Sequence, residues 1–219
     1  MSTESTDPST ELGERETYRA PQGEERETSR APQGEERETY RAPRGEERIL
    51  VGVQSALADR PGVISAARGL SHLGEHALGW MGLAALGAIA AARTGDEERK
   101  RRYVEAGIGA FGAHAASVVL KRIVRRKRPN HRDISIGVGT PSKLSFPSSH
   151  ATSTTAAAIL LGRAAAGTSG AVAATAVVVP PMLLSRLVLG VHYPSDVAAG
   201  ALIGAASAGA VIAADKLYK

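Results

Sequence analysis

Five apolar stretches rich in alanine and glycine recur along the chain, at about 76–92, 105–120, 151–166, 170–189 and 197–214. Several fall short of the ~20 residues that cross a bilayer, and alanine is only weakly hydrophobic, so none decides alone between a soluble helix and a membrane span. Five in series, separated by charged or Gly/Pro-bearing connections, do decide. The pattern predicts an all-α fold, a polytopic membrane bundle of about five transmembrane helices, over residues 76–219. Small residues such as those of Gly200-Ala201-Leu202-Ile203-Gly204 suit close helix packing in lipid. Ahead of the bundle, 49–59 has the pattern of an amphipathic helix leading to Pro61, and 49–75 reads as an interfacial segment.

The first 48 residues belong to a different kind of polymer. Gly23, Gly34 and Gly45 recur with a period of 11, as do Pro21, Pro32 and Pro43, in a unit that reads GEERETYRAPQ. An 11-residue period fits a right-handed coiled coil, but each copy holds Gly and Pro and lacks an apolar seam. Residues 1–48 are therefore expected to be disordered, since they bury too little surface to offset their ordering entropy. A solvated tether fits this composition better than a tyrosine-bearing docking repeat.

Charge sharpens the division. The 219-residue chain has a formal net charge of +5, yet its first 48 residues hold eight arginines against thirteen acidic residues. The basic excess of the remainder sits in short clusters between apolar stretches. Nucleic-acid binding would spread it over a soluble face with aromatics for stacking, and aromatics are only 4% of the chain, so no nucleic acid is expected as a partner. The absence of cysteine excludes disulfides and thiolate metal sites. The N-terminus does not follow a basic start with an apolar core, so no cleaved signal peptide is expected.

With 76–92 as the first crossing, connections 121–150 and 186–196 share one membrane face with the N-terminal tail. Three constellations fall there. The first runs from Lys121 to Arg128-Pro129, where a seven-residue spacing on a continuing helix would point both cations the same way. By itself it is a basic juxtamembrane run of the kind that contacts anionic lipid. The second is Ser145-Phe146-Pro147-Ser148-Ser149-His150 at the start of the third apolar stretch, where free N–H groups and the helix dipole welcome an anion. Its serines fit equally as N-caps. The third runs from Ser185-Arg186 to His192 and Asp196, where a carboxylate near a histidine selects the ring tautomer and an arginine offers a bidentate donor to phosphate. His114, seven residues before Lys121, either lines the same pocket or is a packed, hydrogen-bonded histidine. His72, His76 and His131 read as interfacial.

In order and on one face the three read K-x6-R-P, P-S-x-H and S-R-x5-H-x3-D. Together they resemble the tripartite signature of the type 2 phosphatidic acid phosphatase family, by motif over about 121–196 and by helix layout over 76–214. One departure is Ser149, where the family pattern often has glycine; serine still supplies a backbone N–H. The resemblance implies that Lys121, Arg128, Ser148, Ser149 and Arg186 bind phosphate, that His192 is the nucleophile oriented by Asp196, and that His150 protonates the leaving group. It implies a lipid phosphate substrate and a phosphohistidine intermediate, and the short Ala/Gly/Arg-rich bundle is similar to decaprenylphosphoryl phosphoribose phosphatases. Undecaprenyl diphosphate, phosphatidylglycerophosphate and phosphatidate stay open as substrates. No carboxylate cluster suited to magnesium falls on this face, so no cofactor or metal is expected. Two rivals are a vanadium haloperoxidase, similar in these motifs but larger and soluble, and a non-catalytic lipid-binding scaffold. Setting aside Lys121, Arg128 and Arg186, the two faces beyond residue 49 carry eight Lys and Arg each, so loop charge does not orient the bundle. The charged tail favours a cytoplasmic active face.

Overall fold

The computed structural model describes residues 40–217, so the repeats up to residue 39, and the disorder expected of them, lie outside the described residues. From there the chain forms α1 (Glu46–Leu57), α2 (Val63–Leu73), a 3-10 turn (Glu75–Ala77), α3 (Leu78–Arg93), α4 (Glu97–Val124), α5 (Ser149–Val188) and α6 (Pro194–Leu217). Among the described residues, four spans are long and apolar enough to cross a membrane: the turn with α3, then α4, α5 and α6. Large apolar side chains such as Leu86, Ile108, Val177 and Leu202 stand exposed on them, as lipid-facing helices require.

The 40 residues of α5 account for two of the five apolar stretches. Helical geometry is broken at Ala166 and Gly167 (φ 65°, ψ −147°). A Cβ on Gly162 would lie 2.4 Å from the carbonyl oxygen of Gly170, whereas eight residues of straight helix span about 12 Å. The chain therefore reverses there, and α5 is two antiparallel halves, 149–165 and 168–188. Each is near the length of the hydrocarbon core.

Close packing sets the position of α6. A Cβ on Gly200 would meet the Ser148 carbonyl oxygen at 2.6 Å, and one on Gly204 the Thr152 carbonyl oxygen at 2.3 Å, so the glycine pair seats α6 directly on the first half of α5. At the opposite end of the bundle the buried Asp215 carboxylate is held by Arg101 and, at 2.7 Å, by Arg163, which ties α4, α5 and α6 together. Asp96 caps α4 by accepting the Arg99 N–H at 2.9 Å, and Glu97 and Glu98 complement the helix dipole.

α1 and α2 are built into the active-face end of the bundle. Leu50 is fully buried, and the Gln54 amide donates to the carbonyls of Ser135 (2.7 Å) and Val188 (2.9 Å) while accepting the Ser135 N–H (3.0 Å). α1 begins at Glu46, three residues ahead of the start at 49 read from the repeats. Period and composition give no sign of this, because the partners of Gln54 are backbone groups far away in sequence, at Ser135 and at the end of α5.

Candidate active site

Lys121 lies in the last turn of α4, and its ammonium donates to the carbonyls of Pro147 (2.6 Å) and Ser145 (3.1 Å). The lysine thereby pins the turn that leads into α5. Arg128 is not on the same helix. α4 ends at Val124 with Arg125 in the left-handed region (φ 56°), which corrects the expectation that seven-residue helical spacing aligns the two cations. The chain instead doubles back, with the Ser145 N–H donating to the Arg126 carbonyl (2.8 Å) and the Arg128 N–H to that of Lys143 (3.2 Å). This pairing delivers the Arg128 guanidinium to the site, where it donates to the carbonyls of Ser142 (2.8 Å) and Val191 (2.6 Å). Burial lowers its pKa to about 10, so it stays charged at neutral pH.

Arg186, in the last turn of α5, is 2% exposed and donates to the hydroxyls of Ser185 (3.1 Å) and Ser71 (3.0 Å) and to the Ala67 carbonyl (3.3 Å). After α5 the chain turns through Gly190 (φ 68°), where a Cβ would lie 2.4 Å from the Ser135 carbonyl oxygen. That turn presents His192, which is 3% exposed.

His192 Nε2 lies 3.2 Å from Arg128 Nη1. A guanidinium only donates, so Nε2 holds the lone pair and Nδ1 the proton. Nδ1 faces Asp196 Oδ2 at 3.6 Å, slightly beyond a hydrogen bond, a looseness common before substrate binds. Burial pushes the His192 pKa down to about 3 against the opposing pull of Asp196, with Arg128 and Lys121 adding to the fall. The ring is therefore neutral and nucleophilic over the physiological range. Asp196 is fully buried, and accepts from the Tyr193 N–H (2.8 Å) and Arg126 Nη1 (2.9 Å).

His150, second residue of α5, places Nε2 2.9 Å from the Ser71 carbonyl oxygen. A carbonyl only accepts, so this nitrogen carries the proton. Ser148 caps α5 through the Ala151 N–H (3.5 Å), while its own N–H donates to the Asp196 carbonyl (3.0 Å). A cavity of about 520 Å³ is lined by Lys121, Arg128, Ser149, His150, Arg186 and His192 among others. Ser148 and Asp196 sit behind its wall. His114 also faces it, as do His72 and His76, which the sequence placed only at the interface.

Three residues of the site escape sequence reasoning. Ser71 touches both Arg186 and His150, yet a serine within an amphipathic stretch carries no signal. Arg126 stands 4.2 Å over the Tyr193 ring, pairs with Asp196 and meets Glu46 at 2.6 Å, but in the sequence it is one cation within a basic run. Glu46 also accepts the Ser195 N–H at 2.7 Å.

A multi-pass bundle that brings two histidines, the buried Lys121 and Arg186, the half-buried Arg128 and a helix N-terminus around one cavity is a membrane phosphatase. The chain belongs to the PAP2 superfamily, whose sequence model matches residues 102–217. It is 58% identical over 164 residues to the decaprenylphosphoryl-5-phosphoribose phosphatase of Mycobacterium tuberculosis (strain ATCC 25618 / H37Rv), covering 75% of this chain and 86% of the relative. The Mycolicibacterium smegmatis protein of the same name is 60% identical over 152 residues, 69% of this chain and 79% of that one. The crystal structure of a transmembrane PAP2-type phosphatidylglycerolphosphate phosphatase from Bacillus subtilis superposes with a TM-score of 0.59 at 23% identity, covering 78% of this chain and 87% of that one, and so shares the fold. The protein is a phosphoric ester hydrolase acting on lipid phosphate.

Proposed function

We propose that the substrate is decaprenylphosphoryl-5-phosphoribose and that its 5-phosphate is removed through a phosphohistidine at His192. The observation that carries the chemistry is the Arg128–His192 contact, which leaves Nε2 as a lone pair beside a phosphate-binding cation. The substrate reading is supported by the 58–60% identity to the two mycobacterial phosphatases. Lys121, Arg128, Arg186 and the Ser149 N–H hold the phosphate oxygens, with Ser148 capping the helix behind them. His192 Nε2 attacks phosphorus in line, the P–N bond forms, and the P–O bond to the ribose C5 oxygen breaks. His150, whose Nε2–H is held by the Ser71 carbonyl, carries a second proton on Nδ1 in the substrate complex and gives that proton to the ribose oxygen. Water then attacks phosphorus, His150 Nδ1 takes up its proton, the P–N bond to His192 breaks, and inorganic phosphate leaves. Three cations and a helix N-terminus supply the positioning and charge neutralisation that phosphoryl transfer requires.

The active face is assigned to the cytoplasmic side, an assignment supported by the charge density of residues 1–48. The chain has no cysteine, so a single cysteine introduced at Thr140 reports the side directly by labelling of intact cells.

The deciding experiment offers detergent-solubilised protein a panel of decaprenylphosphoryl-5-phosphoribose, undecaprenyl diphosphate, phosphatidylglycerophosphate and phosphatidate. The phosphoribosyl lipid should have the highest kcat/KM, turnover should survive EDTA, and vanadate should inhibit by mimicking the trigonal bipyramidal transition state. A preference for any other member of the panel overturns the substrate reading.

A further inference from the structure

The phosphoryl-transfer chemistry leaves one end of the cavity unused. His72, Glu75, His76 and His114 line it alongside the phosphate ligands. The His76 and His114 rings stand 5.7 Å apart, and the Glu75 carboxylate lies 4.0 Å from His76 Nδ1 and 3.9 Å from His72 Nδ1. His114 Nδ1 is sealed from solvent with no hydrogen-bond partner among the described residues. Groups of this kind are rarely left unsatisfied unless something else completes them.

Backbone conformation shows that the cluster is held in place at a cost. His76 (φ 51°) and Ala77 (φ 61°) are consecutive left-handed residues, and neither is glycine. Strain of this kind concentrates at ligand sites. The turn also packs directly on His150, because a Cβ on Gly74 would lie 2.8 Å from the His150 ring. His150 is the group that meets the leaving oxygen, so the turn adjoins the leaving-group side of the phosphate. His114 lies two turns before Lys121 on α4, about 10 Å deeper along the helix axis, the direction in which a lipid's headgroup gives way to its tail.

We infer that Glu75, His76 and His114 form a subsite for the hydroxyls of a sugar, and so select a hydroxylated leaving group; the inference rests on the phosphoribosyl reading above. A carboxylate accepts hydrogen bonds only, while imidazoles donate and accept, and vicinal hydroxyls satisfy both. A diacylglycerol headgroup has no donor for Glu75. A second phosphate in place of the sugar would face that carboxylate as a like charge.

The test compares D-ribose 5-phosphate with n-pentyl phosphate, which lacks the hydroxyls, on detergent-solubilised full-length protein. They are measured as substrates and as competitors of p-nitrophenyl phosphate hydrolysis. The wild type should favour the ribose compound by on the order of tenfold or more, since a site built for hydroxyls is left unsatisfied without them. His114→Leu and Glu75→Ala should bring that ratio towards one, and His114→Gln should restore part of it. A wild-type ratio near one, or a ratio unchanged in the variants, overturns the subsite. The lipid panel tests the parent reading separately: turnover of the phosphoribosyl lipid without hydroxyl discrimination refutes the subsite alone, while a strong hydroxyl preference with a different favoured lipid refutes the parent reading alone.

Discussion

Arg128 Nη1 lies 3.2 Å from His192 Nε2, and because a guanidinium has no acceptor, this contact selects the tautomer that leaves Nε2 free to attack. Asp196 faces the other ring nitrogen and is itself held by Arg126 and the Tyr193 N–H. His192→Ala should abolish turnover in a folded protein, since no neighbouring side chain replaces the nucleophile. Rapid quench with labelled substrate should trap an acid-labile phosphoenzyme in the wild type and none in the variant. Arg128→Lys should lower kcat/KM by roughly a hundredfold, the scale for loss of a transition-state donor. Near-normal activity in His192→Ala refutes the phosphohistidine mechanism.

Burial of His192 has a consequence for stability. The folded ring has a pKa of about 3, and the unfolded ring titrates near 6.5. A depressed folded value means that the neutral ring's contribution is fully present above about 6.5 and lost as pH falls towards 3, because the unfolded chain takes up the proton first. The thermal unfolding midpoint in detergent should fall between about pH 6.5 and about pH 4, and fall less steeply in His192→Gln. Equal slopes in the two proteins would show that His192 is not held neutral by the fold.

The contact between α5 and α6 sets the distance between the serine turn and Asp196. A side chain on Gly200 has no room beside the Ser148 carbonyl and the Ala151 methyl, at 2.6 and 2.9 Å. Gly200→Leu should therefore separate the helices and cost at least roughly tenfold in kcat, with overpacking of about 1–3 kcal/mol in stability. Gly209 on the same helix has open space around it, so Gly209→Ala should behave as wild type. Activity assays paired with thermal unfolding of both variants check this.

Two truncations separate the tail from the site. The hydrogen-bond partners described for the site residues fall between Glu46 and Asp196, so removing residues 1–39 should leave turnover of a soluble phosphomonoester within about twofold on the scale of ordinary surface changes. Removing residues 1–48 also deletes Glu46, which meets Arg126 at 2.6 Å and the Ser195 N–H at 2.7 Å, and so loosens the group that holds Asp196. The longer deletion should reduce kcat several-fold more than the shorter one, and Glu46→Ala in the full chain should reproduce the difference. Indistinguishable truncations would show that Glu46 does not support Asp196.

Much of the bundle is legible in the residue pattern alone. Five apolar stretches in series, broken by charged connections, leave few alternatives to membrane helices, and the reversal at Ala166–Gly167 coincides with the gap between two such stretches. The candidate set Lys121, Arg128, Ser148, His150, Arg186, His192 and Asp196 is legible through its resemblance to the family's three-part signature, since each constellation alone also fits lipid contact, an N-cap or a commonplace His–Asp pair. Tertiary structure alone decides how Arg128 arrives, since α4 stops at Val124 and a backbone pairing in the following connection carries the guanidinium back. It alone recruits Ser71, whose carbonyl and hydroxyl meet His150 and Arg186, and Glu46, which supports Arg126. Backbone carbonyls are the same at every position, and a left-handed turn at His76 and Ala77 contradicts local preference, so neither leaves a trace in residue type. Only the packing of α1 and α2 against α5 brings such groups to the site.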